Sequence, residues 1–449
     1  MKFGCKKSKI LCTVAIASVL FLGACSDSKS EEETASEQGT EASPTPQTRT
    51  DTASKAARSG DSTAANTISS ETIEAGQLNI LADLPDNKIL TFWVNNENRK
   101  SFWANQYEGA SWVGASSPVN ADESISLIKS QSAPSGKVAV TWIQSDDSGS
   151  SLWASIHDGA SWSEASQLSL KGSLSEYELV VTRSGEFLVV WNDNGQMWMN
   201  TYNGENWADA IDLDLTMTGS KNLNIQVTSD KKIILIWNTV KDNKRYLWTS
   251  AYFDGQWDSL KLLAQPEKEI ELIKSSINYN NQLTLMWKEV SAESQDILVS
   301  KFIDNAWQDP ETVLSSERPI KQESIIIHRN GKAVLTWVQS EDAYESIYSK
   351  NYYGSSWSKD PIIVAKNLEN DSSYKVATDS FSGTHVVWTQ SDGSMWMNTL
   401  ESGSWTGILR LSAGSQEPIL DYAISFNKAG RSYIIWSQKS SVWFKPGPN

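Results

Sequence analysis

From about residue 77 onward the chain alternates short apolar runs with polar turns, and the alternation recurs roughly every 49 residues. One period serves as the pattern. Residues 124–129 read as a short strand A, and Pro134-Ser135-Gly136-Lys137 as a turn. Residues 138–143 then form an apolar strand B, 144–150 a polar hairpin and 152–156 a strand C, and Asp158-Gly159 leads into Trp162 and strand D. The A–B turn returns as Ser184-Gly185, Asn280-Asn281, Asn330-Gly331, Ser382-Gly383 and Ala429-Gly430. Gly and Asn there supply the positive φ that tight hairpin loops need. The B strands, such as Phe187-Leu188-Val189-Val190-Trp191, are apolar at successive positions, so both faces of their sheets are expected to be buried.

Tryptophan marks the period. The first column is Trp93, Trp142, Trp191, Trp237, Trp287, Trp337, Trp388 and Trp436. The second is Trp103, Trp153, Trp198, Trp248, Trp396 and Trp443, with Leu298 and Tyr348 standing in where the spacing calls for a member. The third is Trp112, Trp162, Trp207, Trp257, Trp307, Trp357 and Trp405, and the three sets account for all 21 tryptophans. Four short antiparallel strands repeated at this interval predict an all-β chain folded as an eight-bladed β-propeller. A seven-bladed ring and a pair of β-sandwiches are the alternatives; the sandwiches explain poorly why the period runs unbroken. Met197-Trp198-Met199-Asn200-Thr201 returns as Met395-Trp396-Met397-Asn398-Thr399, 198 residues later. That offset is four periods, and it points to a four-unit ancestor that doubled. The last unit ends after its strand C, so residues 66–75 are expected to supply the missing strand and close the ring. The Trp rings of strands B and C are expected to pack between blades, with each indole N–H finding a local partner.

The first 65 residues lack this pattern. Lys2, Lys6, Lys7 and Lys9 precede an apolar run over 10–22 that is too short for a stable membrane span. The run ends Leu22-Gly23-Ala24-Cys25, which resembles a bacterial lipobox and makes Cys25 the expected lipidation site. Residues 1–24 are therefore expected to be a lipoprotein signal peptide, 25–65 a lipidated disordered tether rich in Ser, Thr, Glu and Ala, and 66–449 the propeller. Ser26 after the cysteine favours the outer membrane of a Gram-negative envelope, on its periplasmic or surface side. Composition narrows the partners further. The chain carries 54 acidic against 39 basic side chains, a balance that argues against nucleic acid. Three Cys and three His exclude a disulfide scaffold and a conventional zinc site, and no cofactor motif or metal cluster stands out.

The run Trp-x-Gln-Ser-Asp, Leu-Trp-Ala-Ser and Asp-Gly-x-Ser-Trp resembles the Trp-rich, sialidase-like propeller repeats of bacterial lipoproteins, most without an assigned activity. The resemblance covers roughly 77–445 and implies the fold more than the function. The turn Asp158-Gly159-Ala160-Ser161-Trp162 is similar to a shortened sialidase Asp-box, a structural element. A sialidase needs converging arginines, and Arg183, Arg329 and Arg431 instead fall in A–B turns. His157, His328 and His385 fit ordinary structural roles better than a catalytic triad. No catalytic residue is therefore expected, and the expected function is a non-catalytic, membrane-anchored scaffold that binds an envelope protein. The alternative is a lectin-like propeller binding glycan, with a sialidase-like glycosidase behind it. The second-column residues Trp103, Trp153, Trp198, Trp248, Trp396 and Trp443 are the candidate stacking platforms. Two places past each first-column Trp stand Asn95, Gln144, Asp193, Thr239, Glu289, Gln339, Gln390 and Gln438. These polar residues form a candidate binding rim beside the B–C hairpins.

Overall fold

A computed structural model describes residues 58–59, 65–69 and 75–447, apart from short breaks at 96–98, 217–219, 229–231, 243, 266–267, 279, 329, 342–343, 370–371, 413–416 and 439. The expected signal peptide, the expected lipidation site Cys25 and most of the stretch read as tether lie outside the described residues. Apart from one 3-10 turn at Pro85–Asn87, the regular structure described is all strand. Eight antiparallel sheets of four principal strands follow one another, as expected for eight blades. Blade 1 comprises strands A to D at Ala75–Leu81, Ile89–Asn95, Ser101–Tyr107 and Ser116–Asn120. Blade 3 comprises Leu174–Val181, Phe187–Asp193, Gln196–Tyr202 and Ile211–Thr216. Blade 7 comprises Tyr374–Thr378, Thr384–Thr389, Met395–Glu401 and Leu409–Ser412.

The A strands touch their neighbours in an unbroken circle, with the A strand of blade 8 (Asp421–Phe426) meeting that of blade 1. They form the inner ring. Its seams are tied head to tail by side chains that accept a backbone N–H from the next blade. Gln77 Oε1 accepts from Ile128 at 3.2 Å, Glu176 Oε2 from Leu223 at 3.2 Å, Gln322 Oε1 from Tyr374 at 3.3 Å, and Asp421 Oδ2 from Leu78 at 2.8 Å. Gln77, Leu127, Asn222 and Gln322 each sit at φ near 50° where the A–B register slips. At Gln77 and Gln322 the bulged residue is the one whose side chain reaches the neighbouring blade.

Closure follows the expected route. Asn66–Thr67 pairs antiparallel with Trp443 and Phe444 of the last strand, Ser441–Pro446, and supplies blade 8 with its fourth strand. Ile68 N–H donates to Val442 O at 2.8 Å, and Asn105 Nδ2 of blade 1 donates to Ile68 O at 2.8 Å. One short segment thus fastens the last blade to the first. Arg58–Ser59, within the stretch read as tether, adds a parallel pairing to strand D of blade 7, which the composition of that stretch does not anticipate.

The core lies between blades. Each hydrophobic cluster draws on two adjacent sheets, as where Ile156 and Leu168 of blade 2 meet Phe187 and Trp191 of blade 3. The eight first-column indoles are all buried, none more than 4% exposed. At 150–250 Å² apiece and about 25 cal/mol per Å², each contributes roughly 4–6 kcal/mol of gross hydrophobic stabilisation. One expectation needs correcting. Trp287 Nε1 donates to Glu289 at 3.0 Å, but the buried N–H groups of Trp93, Trp142, Trp337 and Trp436 have no partner among the described residues. For these rings, packing area outweighs an unmade hydrogen bond. The third-column Trp is half-buried, and in blades 1 to 6 it lies against an aromatic at the end of strand C. Examples are Tyr107–Trp112, Tyr202–Trp207 and Tyr352–Trp357, all with ring centroids 5.4 Å apart. That companion column was missed in the sequence, although it recurs four residues after the second-column position in blades 1 to 6; blade 7 has Leu400 there.

Candidate functional site

The candidate rim residues end the B strands, and most are engaged within the fold. Asn95, Gln144 and Gln438 are buried. Gln438 Nε2 donates to Glu417 O at 2.7 Å, and Gln339 Nε2 to Ser316 Oγ at 2.6 Å. Thr239 Oγ1 accepts from Trp248 Nε1 at 2.9 Å, Glu289 from Trp287, and Gln390 Oε1 from Ser394 Oγ at 3.2 Å. The candidate stacking residues Trp103, Trp153, Trp198, Trp248, Trp396 and Trp443 are all half-buried. Trp153 and Trp396 donate to Ser151 and Ser394, and Trp443 donates to Gln438 O.

The structure brings one member of each set together. Asp193 and Trp198 of blade 3 line a cavity of about 400 Å³ whose opposite wall is the outer edge of blade 2, residues 167–170. The cavity has a specific local cause at Asn200, two places past Trp198. In blades 1, 6, 7 and 8 the equivalent side chains clamp the previous blade's strand D. Asn105, Lys350, Asn398 and Lys445 donate to Ile68, Val313, Val364 and Leu411 carbonyls at 2.8 Å each. In blades 2, 4 and 5 a serine takes the position and bonds across its own C–D turn. Asn200 makes neither kind of bond: it is 3% exposed, lines the cavity, and its Oδ1 has no partner among the described residues.

The missing donor can be traced to one residue. Asn105 and Asn398 receive the N–H of Gly114 and Gly407, both at 3.1 Å, and those glycines hold φ of 120° and 112°. Blade 3 has Asp209 at that place, nine residues after Asn200, and Asp209 does not adopt positive φ. A side chain avoids the left-handed region at a cost of about 1–2 kcal/mol, so the turn takes another course and the amide oxygen is left open. Across the mouth, Asp193 Oδ1 accepts Ser173 N–H at 2.9 Å. A Cβ on Gly172 would come within 2.6 Å of that carboxylate, so glycine allows the loop to lie against it. The result is an indole face, an unpaired amide oxygen, two carboxylates and the polar edge of Gln167 and Ser169 in one groove.

The other chemistry-bearing groups serve the fold. Glu176 and Glu178 follow one another on strand A of blade 3, and burial raises both carboxyls above the ordinary range. Glu178 pairs with Lys129 at 2.6 Å, while Glu176 makes the inter-blade bond that neutral Gln77 and Gln322 make elsewhere. Thr399 Oγ1, His385 and Asp379 line up at 3.0 and 3.1 Å, the order of a hydroxyl–imidazole–carboxylate triad. Both the hydroxyl and the ring are 7% exposed, however, and Phe426 covers the imidazole at 4.2 Å between ring centroids. His328 is held between Thr378 and Thr384, and His157 accepts the Gly159 N–H. Burial lowers the pKa of all three imidazoles. Asp158 Oδ1 accepts the N–H groups of Ala160 and Ser161, so the Asp-box-like turn is structural. Among the described residues no cluster of His, Cys, Asp or Glu could hold a metal ion.

Comparison with known proteins identifies the architecture only. No protein-family model matches the chain, and no curated protein matches it. Among solved structures, Sqt1 of Saccharomyces cerevisiae is 14% identical with a TM-score of 0.52, over 87% of this chain and 100% of its own. An ulvan lyase is 8% identical with a TM-score of 0.48, over 78% of this chain and 96% of its own. A puromycin-hydrolysing peptidase of Mycobacterium tuberculosis is 12% identical with a TM-score of 0.46, over 72% of this chain and 53% of its own. These matches correct the expectation of a non-catalytic scaffold and of a chain that is not an enzyme. The structures matched include polysaccharide lyases and peptidases, which at 8–12% identity share the fold with this chain and fix no role for it.

Proposed function

We propose that this protein is a saccharide-engaging propeller that takes up a glycan segment in the groove between blades 2 and 3. The observation that carries the reading is the meeting of the Trp198 ring, the Asp193 carboxylate and the unpaired Asn200 amide oxygen in one cavity of about 400 Å³. Sugar rings present an apolar C–H face and a rim of hydroxyls. An indole floor flanked by an amide and carboxylates complements both, and a cavity of this size suits a small ligand. A buried amide oxygen without a donor costs about 1–3 kcal/mol, which a ligand hydroxyl would recover. The sequence Leu22-Gly23-Ala24-Cys25 supports a lipid anchor at Cys25, which would hold the propeller at the cell envelope. Ser26 supports the outer membrane, where surface and periplasmic glycans are the available partners.

The test is calorimetric titration of the full chain with a panel of oligosaccharides, followed by assay of each bound glycan for new reducing ends or unsaturated products. The reading expects binding that Trp198→Ala and Asn200→Leu each weaken by about tenfold or more, with melting little changed. No binding across the panel, or affinity indifferent to both substitutions, would overturn it.

A further inference from the structure

The doubled sequence provides an internal reference for the groove. Trp198 and Trp396 occupy the same register, opposite Trp191 and Trp388 on strand B. On strand D the residue opposite Trp396 is Arg410, and the residue opposite Trp198 is Asp212. In blade 7 the Arg410 guanidinium lies over the Trp396 ring, 5.2 Å from its centroid. In blade 3 the counterpart carboxylate accepts a hydrogen bond from Gln196, and no cation stands over Trp198 among the described residues.

The rest of the cavity asks for the same charge. Its lining includes no Lys, Arg or His but does include Asp193 and Asp209, and neither carboxylate forms an ion pair among the described residues. Lys171, on the adjoining loop, is already bridged to Glu123 and Asp146 at 2.7 Å each. The π face of Trp198, the two carboxylates and Asn200 Oδ1 are all electron-rich, and the buried oxygen lacks a donor. A positively charged N–H group satisfies all of them together, through cation–π attraction, charge-assisted hydrogen bonds and the open acceptor.

We infer that the groove binds a cationic ligand group, a protonated amine seated where blade 7 places its own guanidinium, so that the saccharide class it selects is the amino sugars. This rests on the saccharide reading above, and the experiment separates the two. The full chain is titrated by calorimetry with a glucosamine tetramer, its N-acetylated counterpart, a glucose tetramer and methylguanidinium, and again with the double variant Asp193→Asn/Asp209→Asn.

The inference expects the amine-bearing tetramer to bind about tenfold tighter than the acetylated and neutral ones. That preference should disappear in the double variant while its melting temperature holds. Equal binding of the tetramers, or tighter binding of the acetylated one, would overturn the cation assignment and leave the saccharide reading standing. Binding of methylguanidinium alone, lost in Trp198→Ala, would uphold the cation assignment and remove the saccharide reading. Failure of every probe would remove both.

Discussion

Blades 3 and 7 share a five-residue run on strand C yet differ at their outer seam, and the difference shows how one repeat opens a groove that another keeps closed. Both carry the same five residues on strand C, and in both a strand-A tyrosine reaches back into the preceding blade. Tyr177 OH donates to Leu127 O and Thr141 O and lies 3.3 Å from Thr141 Oγ1. Tyr374 OH donates to Gln322 O and lies 3.2 Å from Thr336 Oγ1. Burial raises both phenol pKa values, as suits hydroxyls kept as donors. The inner halves of the two blades are thus built alike. The outer halves diverge at two residues. Gly407 and Arg410 satisfy Asn398 and cover Trp396 in blade 7, whereas Asp209 and Asp212 leave Asn200 and Trp198 open in blade 3. Function in a repeat fold can therefore begin as the loss of internal contacts at one seam while the shared core keeps the ring closed.

Substituting the shared core should produce the largest effect and no difference between blades. Trp191→Ala and Trp388→Ala each remove an indole no more than 3% exposed and should each cost about 3–5 kcal/mol in denaturant titrations. A wide gap between the two would mean that the blades differ in their cores as well as at their edges. Gly407→Asp gives blade 7 the turn residue of blade 3. It forces a side chain onto φ of 112° or, if the turn shifts to relieve that strain, carries the 407 N–H away from Asn398, whose Oδ1 keeps the Thr399 N–H. A loss of about 1–2 kcal/mol is expected, from left-handed strain or from the one lost hydrogen bond. A neutral result would show that the glycine does not set that turn.

Asp212→Arg tests the reverse conversion. An arginine opposite Trp198 should occupy the ring face and lower saccharide affinity by about tenfold, or 1.4 kcal/mol, with melting unchanged. Undiminished binding would place the ligand elsewhere. The smallest effect concerns His385, which stands in blade 7 where blade 3 has Leu188. Burial, against the opposing pull of Asp379, lowers its pKa from the ordinary value near 6.5. Below about pH 6.5 the unfolded chain takes up a proton that the folded chain declines, so stability is complete above that pH and falls as pH drops toward the folded pKa. The melting temperature of His385→Leu should accordingly vary less between about pH 7 and pH 5 than that of the parent chain. An unchanged slope would show that the imidazole is not a source of the acid sensitivity.

The ring was legible in the sequence because the same large side chain must fill the same inter-blade space eight times, and tryptophan is rare enough for its columns to stand out. Closure by Asn66–Thr67 was legible because the last unit visibly lacked a strand. The αL bulges of strand A were not, since Leu127 stands at the position that Gln77, Asn222 and Gln322 fill with amides, and a single amide in a strand does not mark a bulge. Of the fourteen rim and stacking candidates, Asp193 and Trp198 share the groove, and the two columns gave no means of singling them out. The distinguishing signal lay nine residues beyond Asn200. Asn105 and Asn398 are followed at that interval by Gly, and Asn200 by Asp, a departure whose meaning depends on knowing that the glycine N–H satisfies the amide.

The central claim is that Trp198 offers a free ring face to a ligand while Trp396, its duplicate, is covered. Brief oxidation of the full chain with N-bromosuccinimide, mapped by peptide mass spectrometry with and without a bound oligosaccharide, tests it directly. The account predicts that Trp198 is oxidised well before Trp396 and that the saccharide protects Trp198 alone. Equal reactivity of the two rings, or oxidation of Trp198 indifferent to the saccharide, would contradict it.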